Sequence, residues 1–319
     1  MNKKRKIISP RSDILNKLRI PDIIRHIIIK YDYFVQGIPS LILEGHDKEV
    51  SCLTYINNDL IVSSAHNYIK IWNLESGICL KTIHHNTIIS CLLIVDNLIL
   101  IGSQNKNIRI WNFITEKDEG VLKGHTLGIT CLKSLEDGRI VSGSKDNNLK
   151  VWNLTTKECE VTFSDHQMAI KSILVLTNNR IASMSFHYDL KVWNSNTGEL
   201  ISQLMNPISY LYSYFSYFEH GRHHKMLLGL SGYNLLLTDA DEIYVTLKGH
   251  RGIITCNEVL LDNRIITGSH DKTLRIWNPD NGDCDIILTD HKYAVKRILV
   301  LPNGNIISSD TFGKIILWK

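Results

Sequence analysis

Histidine, a hydroxyl residue and aspartate recur along this 319-residue chain at spacings that could assemble a base, a nucleophile and an acid. His125, Ser142 and Asp146 form one set; His250, Thr267 and Asp271 form another at the same offsets. In acyl transfer an imidazole takes the proton of the attacking hydroxyl while a carboxylate orients the ring. An active site needs that set once. Here it is copied, and the copies keep time with tryptophan. His46 and His85 precede a Trp by 26 residues, whereas His125, His166, His250 and His291 precede one by 27. Such repetition assigns the set to architecture, and no catalytic residue is expected.

Seven cysteines raise metal binding or disulfides as alternatives. Their phase argues against both. Cys52, Cys91, Cys131 and Cys256 lie 20 or 21 residues before a Trp; Cys79, Cys159 and Cys284 lie 7 after one. All seven thus fill two repeat positions, as small apolar residues inside strands do. His220, His223 and His224 share one loop, with no Cys or carboxylate at ligand spacing. No metal, cofactor or small-molecule substrate is expected.

The elements that carry these residues follow from the rhythm. Trp72, Trp111, Trp152, Trp193, Trp277 and Trp318 are separated by 39, 41, 41, 84 and 41 residues. A period near 40 marks a tandem array. Within the third unit, Ile129–Leu132, Ile140–Ser144 and Leu149–Trp152 are short alternating bursts divided by Gly, Asn and Asp. That is strand and turn chemistry, four strands to a unit, and the predicted fold is all-β. In the fifth unit Leu236 stands at the Trp position and Ser209 at the His position. An aromatic run from Tyr210 to Phe218 refills that unit, which brings the count to seven.

From about residue 40 onward the pattern resembles the WD-repeat family. Gly124-His125, Ser142-Gly143-Ser144-Lys145-Asp146 and Trp152-Asn153 carry the resemblance. It implies a seven-bladed β-propeller over 40–319. It also implies that His, Ser/Thr, Asp and Trp form a buried hydrogen-bonded tetrad in each complete blade. Two repeats hold the full set: His125, Ser142, Asp146, Trp152 and His250, Thr267, Asp271, Trp277. Three keep His, Ser and Trp without the Asp: those of His46, His166 and His291. The second repeat has Ile101 at the Ser position and Asn105 at the Asp position. The chain reaches Trp318 with no outer strand left for the last blade, so residues 40–44 are expected to supply it and close the ring.

Ahead of the array, residues 1–12 hold a basic run, Lys3-Lys4-Arg5-Lys6, expected to be a solvated tail. Over 13–34, apolar residues at 20, 23, 24, 27, 28 and 31 predict a short helical segment with Pro21 in its first turn. Ile20, Pro21, Ile24, Ile27, Ile28 and Tyr31 resemble the opening of an F-box. The motif's second half, with its Val-Cys-x-x-Trp, is absent. The resemblance implies docking to the adaptor of a cullin-type ubiquitin ligase; an amphipathic helix packed on the propeller is the other reading.

Net charge is +4 with pI ≈ 8.5, spread along the chain. That does not compel a nucleic-acid partner. No apolar run reaches the ~18–20 residues of a membrane helix. The expected molecule is a monomeric propeller of the cytoplasm or nucleus that binds other proteins. In the WD-repeat family the entry loops and pre-Trp turns form the top face. Exposed aromatics expected there include Tyr68, Phe186, Tyr188, Tyr233, Tyr293 and Phe312. Lys145 with Lys171, and His270 with Lys296, occupy positions where similar F-box/WD-repeat receptors carry Arg. The resemblance implies an acidic or phosphorylated client peptide there.

Overall fold

The computed structural model describes residues 39–319 except 188, 205–214, 221–222, 230–234 and 239–242; around blade 5 it describes only the backbone of the strands. Seven four-stranded antiparallel sheets account for the described strands. In each, an inner strand is followed outward by a second, a third and an outer strand. Blade 1 comprises Val50–Tyr55, Leu60–Ala65, Tyr68–Asn73 and Cys79–His84. The inner strands of blades 2 to 7 are Ile89–Val95, Ile129–Ser134, Ile170–Leu176, Phe215–His220, Ile254–Val259 and Val295–Val300. Each lies beside the next, and the last lies beside Val50–Tyr55. The molecule is a seven-bladed β-propeller.

Period-two alternation explains the packing, because the two faces of every blade are pressed against two neighbours. In the six blades that carry one, the Trp faces the blade before it. Trp152 packs with Leu100, Ile108, Ile110 and Leu122 of blade 2, and Trp193 packs edge-on against Phe163 of blade 3 at 5.4 Å. Truncating a buried Trp to Ala costs about 3–5 kcal/mol. Gly124 shows how tight the fit is, since a Cβ there would lie 3.1 Å from the Trp152 ring.

Blade 5 is present without its Trp. Leu236 sits in its third strand, paired with Leu228 and Thr246. Ser209 lies outside the described residues, as do residues 13–34. The ring closes as expected. Pro39–Leu43 pairs antiparallel with Ile315–Trp318, Leu43 opposite Ile315, and forms the outer strand of blade 7. Leu43, Leu317 and Trp72 then share one core across the blade 7–blade 1 seam. Arg297 Nε seals the inner end of that seam by donating to the Ser51 carbonyl at 2.6 Å.

Candidate interaction surface

The His–Ser–Asp sets assemble with the hydrogen-bond order of a hydrolytic triad. In blade 3, His125 Nδ1 lies 2.8 Å from Asp146 Oδ2 and Nε2 lies 2.8 Å from Ser142 Oγ. A carboxylate only accepts, so Nδ1 carries the proton and the Ser142 hydroxyl donates to Nε2. What separates this from chemistry is burial. Ser142 is 0% exposed, and its oxygen already accepts the Trp152 indole N–H at 2.8 Å. Blade 6 repeats the arrangement through His250, Thr267, Asp271 and Trp277 at 2.7–2.8 Å.

The carboxylate also receives the backbone N–H after the histidine, from Thr126 or Arg251 at 2.8 Å. It thereby ties the entry loop to the turn between second and third strands. Burial opposes ionisation of Asp271, but hydrogen bonds from Thr273, Arg251 and His250 outweigh it and bring the group to about 2. Burial pushes His125, His166 and His250 down, with the aspartates pulling the other way.

One expectation is corrected. The repeats of His166 and His291 lack an Asp at the expected offset, yet each has a carboxylate on its histidine. Asp189 Oδ2 lies 2.7 Å from His166 Nδ1, and Asp310 Oδ2 lies 3.3 Å from His291 Nδ1. Asp189 stands two residues after the usual place and Asp310 two before it. All three places lie on one tight turn, so the carboxylate can slide without losing the ring. A fixed-offset pattern misses this; the signal available was an Asp anywhere in the turn. Blade 1 has no such partner for His46. Burial, then Lys70, lowers that imidazole to about 4. In blade 2, Ile101 replaces the Ser and His85 Nδ1 is buried without a hydrogen-bond partner.

Above this layer lie the loops. Phe186, Tyr293 and Phe312 are 49%, 43% and 62% exposed. Tyr293 and Phe312 meet, ring centroids 3.9 Å apart at 30°. Tyr68 is exposed and meets His84 edge-on. Tyr188 and Tyr233 lie outside the described residues. Sequence reasoning missed Ile88, Leu127, Met168 and Ile253, exposed apolar residues of the entry loops just before four inner strands. Each lies one or two residues ahead of a buried isoleucine, so in sequence it merges with the apolar burst of the inner strand.

The cations divide. Lys145 and His270 are exposed at turn tips. Lys171 is half-buried on the inner strand of blade 4, where burial lowers its amine. Lys296 is not a free charge: its Nζ lies 3.5 Å from Glu49 Oε1 of blade 1. It bridges the blade 7–blade 1 seam; across the blade 6–blade 7 seam the Thr255 hydroxyl donates to the Val295 carbonyl. Further along the inner strands, Glu258 keeps solvent contact but is hemmed in by protein. Burial raises its carboxyl to about 7, with Lys133 pulling it back. Among the described residues no group of three His, Cys, Asp or Glu is placed to hold a metal.

A closed β-propeller with a buried layer of His–Ser/Thr–Asp–Trp tetrads is an architecture found among WD-repeat proteins. Comparison with known proteins agrees. Residues 37–73, 77–112, 116–153 and 241–278 match the family described as WD domain, G-beta repeat. These stretches cover blades 1, 2, 3 and 6, each beginning one strand early. Over 80 residues the chain is 36% identical to an uncharacterized WD repeat-containing protein of Schizosaccharomyces pombe, covering 23% of this chain and 22% of that one. Over 72 residues it is 31% identical to the guanine nucleotide-binding protein subunit beta of the same yeast, covering 23% of each. The chain thus spans under a quarter of the length of these relatives. Among solved structures, the WD40 β-propeller domain of Doa1 superposes with a TM-score of 0.74 at 18% identity, covering 88% of this chain and 96% of that one.

Proposed function

We propose that the protein is a non-catalytic platform that holds a protein partner on its top face. The observation that carries this reading is the gathering of exposed apolar side chains on the loops of one face. Five described blades, 2, 3, 4, 6 and 7, contribute one or more. Exposed apolar patches of this kind mark interaction sites. The test is site-specific photocrosslinking from position 186 or 312 against position 114 on the opposite face, in extract of the native host. Adducts from the top face alone support the reading. Equal adducts from both faces, or none from the top, overturn it.

A sharper reading makes the platform a substrate receptor of a cullin-type ubiquitin ligase. The F-box-like spacing of Ile20, Pro21, Ile24, Ile27, Ile28 and Tyr31 supports it. In that reading 13–34 docks the adaptor while the top face holds the client. Affinity purification of wild type beside Ile24→Asp/Ile28→Asp decides the matter. Adaptor captured by wild type and lost in the variant upholds the receptor; no adaptor with either leaves a general scaffold.

A further inference from the structure

Blade 4 and the His291–Trp318 repeat of blade 7, where the tetrad carboxylate has moved, lie outside the stretches that match the family pattern. In blades 3 and 6 the residue four after the tetrad hydroxyl is the Asp, turned inward to its histidine. In blade 7 Asp310 does that work two residues earlier, and the vacated place holds Phe312. Asp310 Oδ1 also accepts the backbone N–H groups of Phe312 at 3.0 Å and Lys314 at 3.1 Å. The residue that satisfies the buried ring therefore fixes the turn that displays the phenyl.

The turn is fixed from a second side. Gly313 has φ +87°, and a Cβ there would lie 2.6 Å from the His46 carbonyl and 2.8 Å from that of Lys48. The Tyr293–Phe312 pair is thus a flat apolar platform clamped between the entry loops of blades 7 and 1. Exposed Lys292 and Lys48 flank it, with Arg251 and Lys272 on blade 6. Glu44, Asp47 and Asp290 are the exposed acids nearby in sequence, and Glu49 is already paired with Lys296.

We infer that this corner binds an acidic protein segment that seats one bulky apolar side chain on the Tyr293–Phe312 platform. The inference rests on the top face being the partner surface. Rings supply a large contact at little entropic cost, and the surrounding ammonium groups and guanidinium select negative charge. A nucleic acid fits less well, because beyond the two rings the apolar residue exposed on the adjacent blade 6 entry loop, Ile253, is aliphatic and offers bases no further stacking face.

The experiment uses the full chain and three fluorescein-labelled 14-residue peptides: Glu/Asp-rich with one central Trp, the same with Ala for Trp, and Lys-rich with Trp. Fluorescence anisotropy should rank the acidic Trp peptide about tenfold or more above both others. Tyr293→Ala/Phe312→Ala should abolish that preference with an unchanged urea midpoint, and Lys292→Glu/Arg251→Glu should weaken binding and flatten its salt dependence. Equal affinity for the Trp and Ala peptides, or an unaffected double-alanine variant, overturns the inference. So does a single-stranded oligonucleotide that binds more tightly than the acidic Trp peptide. If the peptides fail while crosslinks from position 312 to a native partner persist, the platform stands and only its assigned chemistry falls.

Discussion

At the scale of single residues, the tetrads show that hydrogen-bond order alone does not define chemistry. Ser142 has the partners of a nucleophile and none of the access. The sliding carboxylate gives the sharpest stability test. Asp310→Ala and Asp189→Ala should each cost about 1–3 kcal/mol in urea unfolding, as Asp146→Ala should, because a buried imidazole N–H loses its acceptor. Phe312→Ala and His187→Ala, at the place a fixed pattern would choose, should change stability by less than about 0.5 kcal/mol. The histidines predict an early acid response. His46 is held at about 4 against an ordinary value of 6.5, so the unfolded chain binds its proton first. Its contribution is present above pH 6.5 and is lost as pH falls toward 4, a loss of roughly 3 kcal/mol when complete. His46→Gln should therefore flatten the fall in stability between pH 7 and 5. The lowered aspartates respond only below about pH 4, on the same sign argument.

At the scale of elements, strands were legible and turns were only half so. Trp spacing placed every third strand, and period-two bursts placed the inner and second strands, because each blade must bury both faces. The strand at 39–43 was legible too, since a blade without an outer strand leaves an open edge. The relocated carboxylates were not, because the tight turn tolerates an Asp at three places and a linear pattern counts only one. Nor was the Lys296–Glu49 pair, which joins residues about 250 positions apart that only ring closure brings together. The inner strands carry their own prediction. Glu258, solvent-exposed yet hemmed in enough by protein to raise its carboxyl to about 7, costs the fold stability when ionised. Its penalty is absent below about pH 4.5 and grows as pH rises through 7. Glu258→Gln should raise the melting temperature at pH 8 and lose that gain at pH 4; an equal gain at both, read by differential scanning fluorimetry, would sink the argument.

At the scale of the whole molecule, closure joins the two extremes of the propeller. Leu43 is 1% exposed between Ile315 and Trp72. Leu43→Asp should unseat the strand, expose the edge of Ile315–Trp318, and raise the mass measured by multi-angle light scattering above that of wild type. Unchanged mass in that variant would mean the ring holds without its first strand. The hydrogen bond from Ser40 Oγ to the Leu317 carbonyl spans 277 positions. On a ribosome adding about 5–20 residues per second, the first strand waits roughly 15–60 s for its partner to be made. Through that interval the nascent chain carries a strand with nothing to pair with, and any neighbour on the same message offers the same sequence. Denser loading of ribosomes on that message should then lower the share of the protein recovered as single rings.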